Sequence, residues 1–237
     1  QLPPNELAEL LGRYLEVMTA AFQRHGGTVD KYIGDAIMAV WNAPTPCADH
    51  PQKACEAALA AVAAGDALYA SKEWAGRPPL FTRFGLHTDE VLVGHFGAPD
   101  RMSYTCLGDG VNLASRLEGL NKPYGTTIMV SDAVRQAVKS DLVFRFLDVV
   151  AVSGKGHAVR VHELVGATDL EGGRRETARL YEQAFALYLR RDFHAALEGF
   201  LALPGDGPSV LLAARCRRLI AEPPPDDWDG SYVATSK

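Results

Sequence analysis

No stretch of this chain stays apolar for the roughly 18 residues that a helical bilayer crossing requires, and no basic-then-apolar leader opens it. The segment is therefore expected to make no membrane contact of its own. A basic excess is missing too. The 24 Lys and Arg are outnumbered by 29 Asp and Glu, for a formal net charge of -5, which leaves no electrostatic footprint for nucleic acid. Cysteine is scarce. The four at positions 47, 55, 106 and 216 form no C-x-x-C pair and no metal-binding spacing, so a disulfide scaffold and a zinc module both drop out. A reduced, cytoplasmic setting follows, with each cysteine read as a small buried apolar residue. An initiator Met is also absent: "QLPPNELAELLGRYL" falls almost at once into a helical pattern, as expected of a piece of a longer protein.

What is present is an ordinary globular composition, 47% hydrophobic over 237 residues, enough for one sizeable domain and a small annex. Leu7, Leu10, Leu11, Tyr14, Leu15, Met18 and Phe22 recur at helical spacing, predicting an amphipathic helix over residues 5 to 25, capped by Asn5 and ended by Gly26-Gly27. A hairpin, a Pro-rich turn and an Ala-rich helix over about 51 to 75 follow. "LFTRFGLHTDEVLVGHFG" reads as a second strand pair joined near Thr88-Asp89, after which a loop leads into a helix around 110 to 121. A short strand "TIMV", a helix capped by Ser131 and two late strands, "VFRFLDVVAV" and "VRVHELVG", complete an α+β layered domain ending at residue 166. Residues 167 to 174 read as a linker, and 175 to 237 as helices plus an extended tail. Within that part Tyr181, Ala184, Tyr188, Asp192, Ala195, Ala196 and Phe200 resemble a single tetratricopeptide-like helix pair. One such pair cannot bury its own apolar face, so it must dock on something.

Two stretches carry polar groups that packing does not ask for. In "GGTVDKYIGDAIMAVW", residues 26 to 41, two runs rich in branched and aromatic residues meet at Gly34-Asp35, and Gly at the first central position suits a type II′ hairpin turn. Asp35 then stands at an exposed tip with Lys31 close by. In "YTCLGDGVNLASRLEGL", residues 104 to 120, Asp109 reads as a helix N-cap, while Asn112 and Arg116, four apart, share one helix face. An isolated Gly-Asp turn or a single solvated helix face would carry no function. Asn112 and Arg116, a carboxamide and a permanent cation projecting together, suit a polyanionic ligand with a sugar attached. His87 and His95 have no acidic or Cys partners at metal spacing and read as packing or turn residues.

"DKYIGDAIMAVWNAP", "YTCLGDGVNLASRLE" and "VSGKG", in this order and separation, resemble the class III adenylate/guanylate cyclase catalytic domain over residues 1 to 166. The C-terminal part more loosely resembles the extension of some bacterial receptor-type cyclases. The resemblance implies a ferredoxin-like, palm-type α+β fold acting as a head-to-tail homodimer with composite sites. There Mg²⁺ or Mn²⁺ promotes attack of the ATP 3′-hydroxyl on the α-phosphate, releasing pyrophosphate. By position, Asp35 is implied as a metal carboxylate, Lys31 and Thr105 as adenine contacts, Asn112 as the ribose-orienting group, Arg116 as the transition-state cation and Lys155 as a phosphate contact. The family's second metal Asp belongs to a strand before the first helix, and the sequence begins after it. The implied setting is cytoplasmic, as the inner portion of a membrane receptor.

The chemistry agrees with these residue types. Mg²⁺ is held by one or two carboxylates plus substrate phosphates. Phosphoryl chemistry asks for positioning and charge stabilisation, which Lys and Arg supply. Adenine offers an acceptor at N1 and a donor at N6, which Lys31 and a hydroxyl can match, whereas guanine inverts the pattern and calls for a carboxylate where Lys31 sits. Two rival readings are a catalytically silent, cyclase-like dimerisation module and a scaffold acting through its C-terminal helices. Retention of Lys31, Asp35, Asn112 and Arg116 together favours the enzyme over the first. The short helical segment counts against the second.

Overall fold

A computed structural model describes residues 3–151, 158–167 and 173–233. In chain order its elements are α1 (Pro4–Arg24), β1 (Thr28–Ile33), β2 (Ala36–Val40), α2 (His50–Tyr69), β3 (Phe84–Leu86), β4 (Leu92–Ala98) and β5 (Arg101–Leu107). These are followed by α3 (Asp109–Tyr124), β6 (Ile128–Ser131), α4 (Asp132–Ala137), β7 (Val143–Ala151) and β8 (Ala158–Gly166). The last elements are α5 (Arg174–Leu189), α6 (Phe193–Leu201), α7 (Gly207–Ala221) and β9 (Tyr232–Val233). No helix among the described residues is long and apolar enough to cross a membrane. The chain divides into two compact units, residues 1–82 with 89–111 and residues 83–88 with 112–237.

In the first unit Tyr14, Met18 and Phe22 of the predicted α1 stripe are buried, joined by Ala21, whereas Leu7 at the head of the stripe is 54% exposed. The small face of α2, with Cys55, Ala58, Ala61, Gly65 and Leu68 buried, packs against it. Gly65 sets the approach, because a Cβ there would lie 3.0 Å from the Met18 methyl. Full burial of Met18 and Phe22 contributes on the order of 1.5–3 kcal/mol each. The helix begins at Pro4, with Pro3 in the cap position, so Asn5 lies inside the first turn and is not the cap. Proline fits there because the first helical N–H groups lack intrahelical partners anyway.

Two hairpins complete this unit. The first pairs β1 with β2 as predicted. The second differs from expectation: β4 pairs antiparallel with β5, from Leu92 opposite Leu107 to Ala98 opposite Arg101. The predicted partner, β3, goes instead to the second unit, where it lies parallel to β6. There Gly85 sits against the backbone of α3, since a Cβ at that position would come within 2.1 Å of the Ala114 carbonyl oxygen. A tight turn at Thr88-Asp89 is thereby excluded.

The second unit is built on a five-stranded sheet of order β3-β6-β8-β7-β9. Leu113, Leu117, Leu120 and Tyr124 of α3 share one core with Leu147, Val150 and Val161 of the sheet and Tyr181, Phe185, Phe200 and Leu212 of the C-terminal helices. The helical pair thus docks on the sheet of its own chain. Buried polar groups fasten it: Arg215 of α7 donates to Asp148 of β7 and, at 2.9 Å, to the hydroxyl of Tyr124, which itself donates to Asp148. Arg145 binds Glu163 and, at 2.7 Å, Asp206 at the head of α7. The C-terminal segment expected to be a plain extended tail forms β9, parallel to β7.

Candidate active site

The β1–β2 hairpin closes with Ile33 opposite Ala36, leaving Gly34 and Asp35 as the loop. Gly34 has φ of +65° and Asp35 is not among the positive-φ residues, the pattern of a type II′ turn. Asp35 is exposed at the tip, and its carboxylate makes no hydrogen bond or ion pair among the described residues. Its oxygens are hard, unengaged donors. Such a group fits as one carboxylate of a Mg²⁺ site completed by nucleotide phosphates. It does not make a protein cage, since no cluster of three or more His, Cys, Asp or Glu suited to a metal exists among the described residues.

Further down β1 the ladder slips. Val29 faces Ala39 but Lys31 faces Met38, so Asp30 is the extra residue of a bulge. Successive strand residues ordinarily point to opposite faces, and a bulge relaxes that rule by turning one side chain. Here Asp30 and Lys31 both reach Thr105 of β5. The Lys31 ammonium donates to Thr105 Oγ1 at 3.0 Å, and that hydroxyl donates to Asp30 Oδ2 at 2.5 Å. Lys31 Nζ also lies 3.5 Å from Asp30 Oδ1, whose side chain is only 3% exposed. Lys31 and Thr105, 74 residues apart in sequence, therefore meet as expected of a shared contact. Asp30 went unassigned from sequence. Its signal was a carboxylate beside a lysine inside a strand, where one of the two must turn inward.

Asn112 and Arg116 stand one turn apart on α3, both exposed, opposite the buried Leu113, Leu117 and Leu120. Neither side chain forms a hydrogen bond or ion pair among the described residues. By the partition of the fold they belong to the second unit, whereas Lys31, Asp35 and Thr105 belong to the first. Asp109 is the first residue of α3 and not the residue before it. Its carboxylate still lies in the first turn, where the helix dipole favours negative charge. Lys155 lies outside the described residues.

His87 and His95 both have partners within the fold. His87 Nδ1 is 2.7 Å from Ser131 Oγ, and the His95 ring meets Tyr104 edge-on. All four cysteines are free thiols, and burial pushes that of Cys55 up to about 12, far from a reactive thiolate.

Residues 1–165 match the profile of the adenylate and guanylate cyclase catalytic domain. The chain belongs to that family. Adenylate cyclase 1 of Rhizobium meliloti is 39% identical over 163 residues, which are 69% of this chain and 24% of the relative. The crystal structure of the adenylyl cyclase CyaB from P. aeruginosa superposes with a TM-score of 0.61 at 29% identity, covering 73% of this chain and 88% of that one. The guanylyl cyclase Cya2 superposes nearly as well, with a TM-score of 0.58 at 27% identity over 71% of this chain and 84% of that one. The chain spans 24% of that first relative's length, and 10% and 33% of two further adenylate cyclases that it matches, from Dictyostelium discoideum and Anabaena cylindrica. Fold likeness alone does not separate adenylate from guanylate cyclases, so base preference rests on the side chains.

Proposed function

We propose that the chain is the catalytic part of an adenylate cyclase, converting ATP to cyclic AMP and pyrophosphate in intracellular signalling. The observation that carries this reading is the 3.0 Å contact between Lys31 and Thr105, which sets a cationic donor beside a hydroxyl as an adenine edge requires. In this reading Lys31 donates to adenine N1 and Thr105 accepts from the N6 amino group. Asn112 orients the ribose, Arg116 offers its planar, permanently charged fork to the oxygens around the α-phosphorus, and Lys155 meets the phosphates. Asp35 holds Mg²⁺ or Mn²⁺ together with a second carboxylate expected upstream in the full protein. The bound cation supplies charge neutralisation and a more acidic 3′-hydroxyl.

Residues 1–166 form the catalytic division, 167–174 a linker and 175–237 a tetratricopeptide-like extension; the matched span, 1–165, supports the first boundary. The acting species is a homodimer with composite sites, in a cytoplasmic setting. Strand residues Ile33 and Leu92, 60% and 70% exposed, supply apolar surface for a second copy to cover.

The test follows product formation from ATP and GTP with Mn²⁺, using this chain and a version extended upstream. Cyclic AMP should dominate, and a Lys31→Glu variant should shift preference toward GTP. Equal or better turnover of GTP by the unaltered protein refutes the adenine assignment. A mixture of Asp35→Ala and Arg116→Ala protomers, each nearly inactive, should recover about half the activity per heterodimer if sites are shared and independent. Failure to recover, with heterodimers shown to form, favours a silent dimerisation module.

A further inference from the structure

Taken alone, a threonine hydroxyl cannot tell adenine from guanine. It carries one proton and two lone pairs, so it can accept from an N6 amino group or donate to an O6 carbonyl by rotating about one bond. Thr105 lacks that freedom. Its proton is directed to Asp30 Oδ2 at 2.5 Å and one lone pair receives Lys31 Nζ at 3.0 Å, which leaves a single lone pair and nothing to donate. Lys31 spends one proton on Thr105 and leans a second toward Asp30 Oδ1, 3.5 Å away, keeping at least one for a ligand. The outward pattern is then one acceptor beside one donor.

We propose that Asp30 is a positioning residue for base specificity in the nucleotide site: its side chain, buried in the β1 bulge, holds the Thr105 proton and so fixes that hydroxyl as an acceptor for a purine 6-amino group. The proposal rests on the reading of Lys31 and Thr105 as the base edge. Adenine, with a donor at N6 and an acceptor at N1, completes the fixed pattern. Guanine brings O6 against the remaining lone pair of Thr105 and N1–H against the ammonium of Lys31, two mismatches that no hydroxyl rotation can relieve. Asp30 acts through Thr105 and is not itself required to touch the base. The bulge is what permits this, since in a regular strand Asp30 and Lys31 would face opposite ways. An unpaired carboxylate at 3% exposure would be costly, and Thr105 with Lys31 satisfies it.

The experiment measures displacement of a fluorescent ATP analogue by ATP, GTP and ITP, alongside cyclic nucleotide formation. It uses the whole chain, the near-isosteric Asp30→Asn variant, Thr105→Val and the double variant. Each preference is a ratio read within one preparation, so a partly unfolded fraction cancels. The unaltered protein should reject ITP as it rejects GTP, because both present O6 and N1–H; this arm needs no variant. Asp30→Asn, whose amide can donate to Thr105 and free its proton, should narrow the ATP-over-GTP preference about tenfold, chiefly by tighter GTP. Thr105→Val should narrow it by weaker ATP. The double variant should match Thr105→Val if Asp30 acts on the base through the Thr105 hydroxyl, whereas an effect carried through Lys31, 3.5 Å from Asp30 Oδ1, would survive the loss of that hydroxyl.

An unchanged ratio in Asp30→Asn, effects of the two variants that add, or ITP bound like ATP overturns the proposal. If the unaltered protein prefers ATP in displacement but forms no cyclic nucleotide, the catalytic reading fails while the Asp30 test still reads out. If cyclic AMP forms and Asp30→Asn keeps its preference, only the Asp30 assignment falls.

Discussion

The two units of this cyclase domain distribute polar and apolar groups in opposite ways. In the second unit buried ionic groups pair with one another, Arg145 with Glu163 and Arg215 with Asp148 and Tyr124, beside a core of aromatic side chains, although Arg215 Nε is left without a partner among the described residues. In the first unit the hairpins leave Tyr32, Ile33, Leu92 and Met102 exposed, and a buried polar pair, Asp30 with Thr105, contacts a lysine that is 41% exposed. Buried charge therefore has different uses in the two. In one it fastens helices to a sheet; in the other, on the proposed reading, it arranges donors and acceptors for a ligand. Variants should separate along the same line, with stability lost in the second unit's interior and chemistry lost at exposed positions.

The largest effect should come from Arg215→Ala. Breaking a buried pair strands the carboxylate of Asp148, which is fully buried, and about 3–5 kcal/mol of unfolding free energy should disappear in urea denaturation. A loss below 1 kcal/mol would erase the contrast between the units. Arg116→Ala sharpens the contrast from within the second unit, because the residue is exposed on α3 and free of partners among the described residues. Cyclic AMP formation should fall about 10²–10³-fold, with denaturation unchanged within roughly 0.5 kcal/mol.

The smallest effect concerns His162. Burial lowers its pKa from 6.5, against the opposing pull of Asp132 at 2.8 Å and with the help of Arg160 and Arg135. Between that lowered value and 6.5 the unfolded chain binds the extra proton, so stability is complete above pH 6.5 and declines as pH falls through that window. Urea midpoints across the window should show the slope, and His162→Gln should flatten it.

The elements that sequence predicts correctly are those whose signal is local. The later part of the α1 stripe, the Gly34-Asp35 turn and the shared face of Asn112 and Arg116 on α3 need only periodicity and turn chemistry. What escaped depends on distant partners. The parallel pairing of β3 with β6 joins residues 44 apart, as at Phe84 and Ile128, and nothing within "FTRFGL" announces it. Strand β5 does alternate Met102, Tyr104 and Cys106 with polar residues, but its nearness to the α3 motif drew it into a loop. Asp30 is hardest of all, because its role is set by a bulge and by a hydroxyl 75 positions away.

The cluster of Tyr124, Asp148 and Arg215 also constrains how such sequences can diverge. Losing the arginine first strands a carboxylate, and losing the carboxylate first strands a guanidinium, so single steps from either end pass through a poorly folded intermediate. The three positions are thus expected to drift as a block, changing together or not at all.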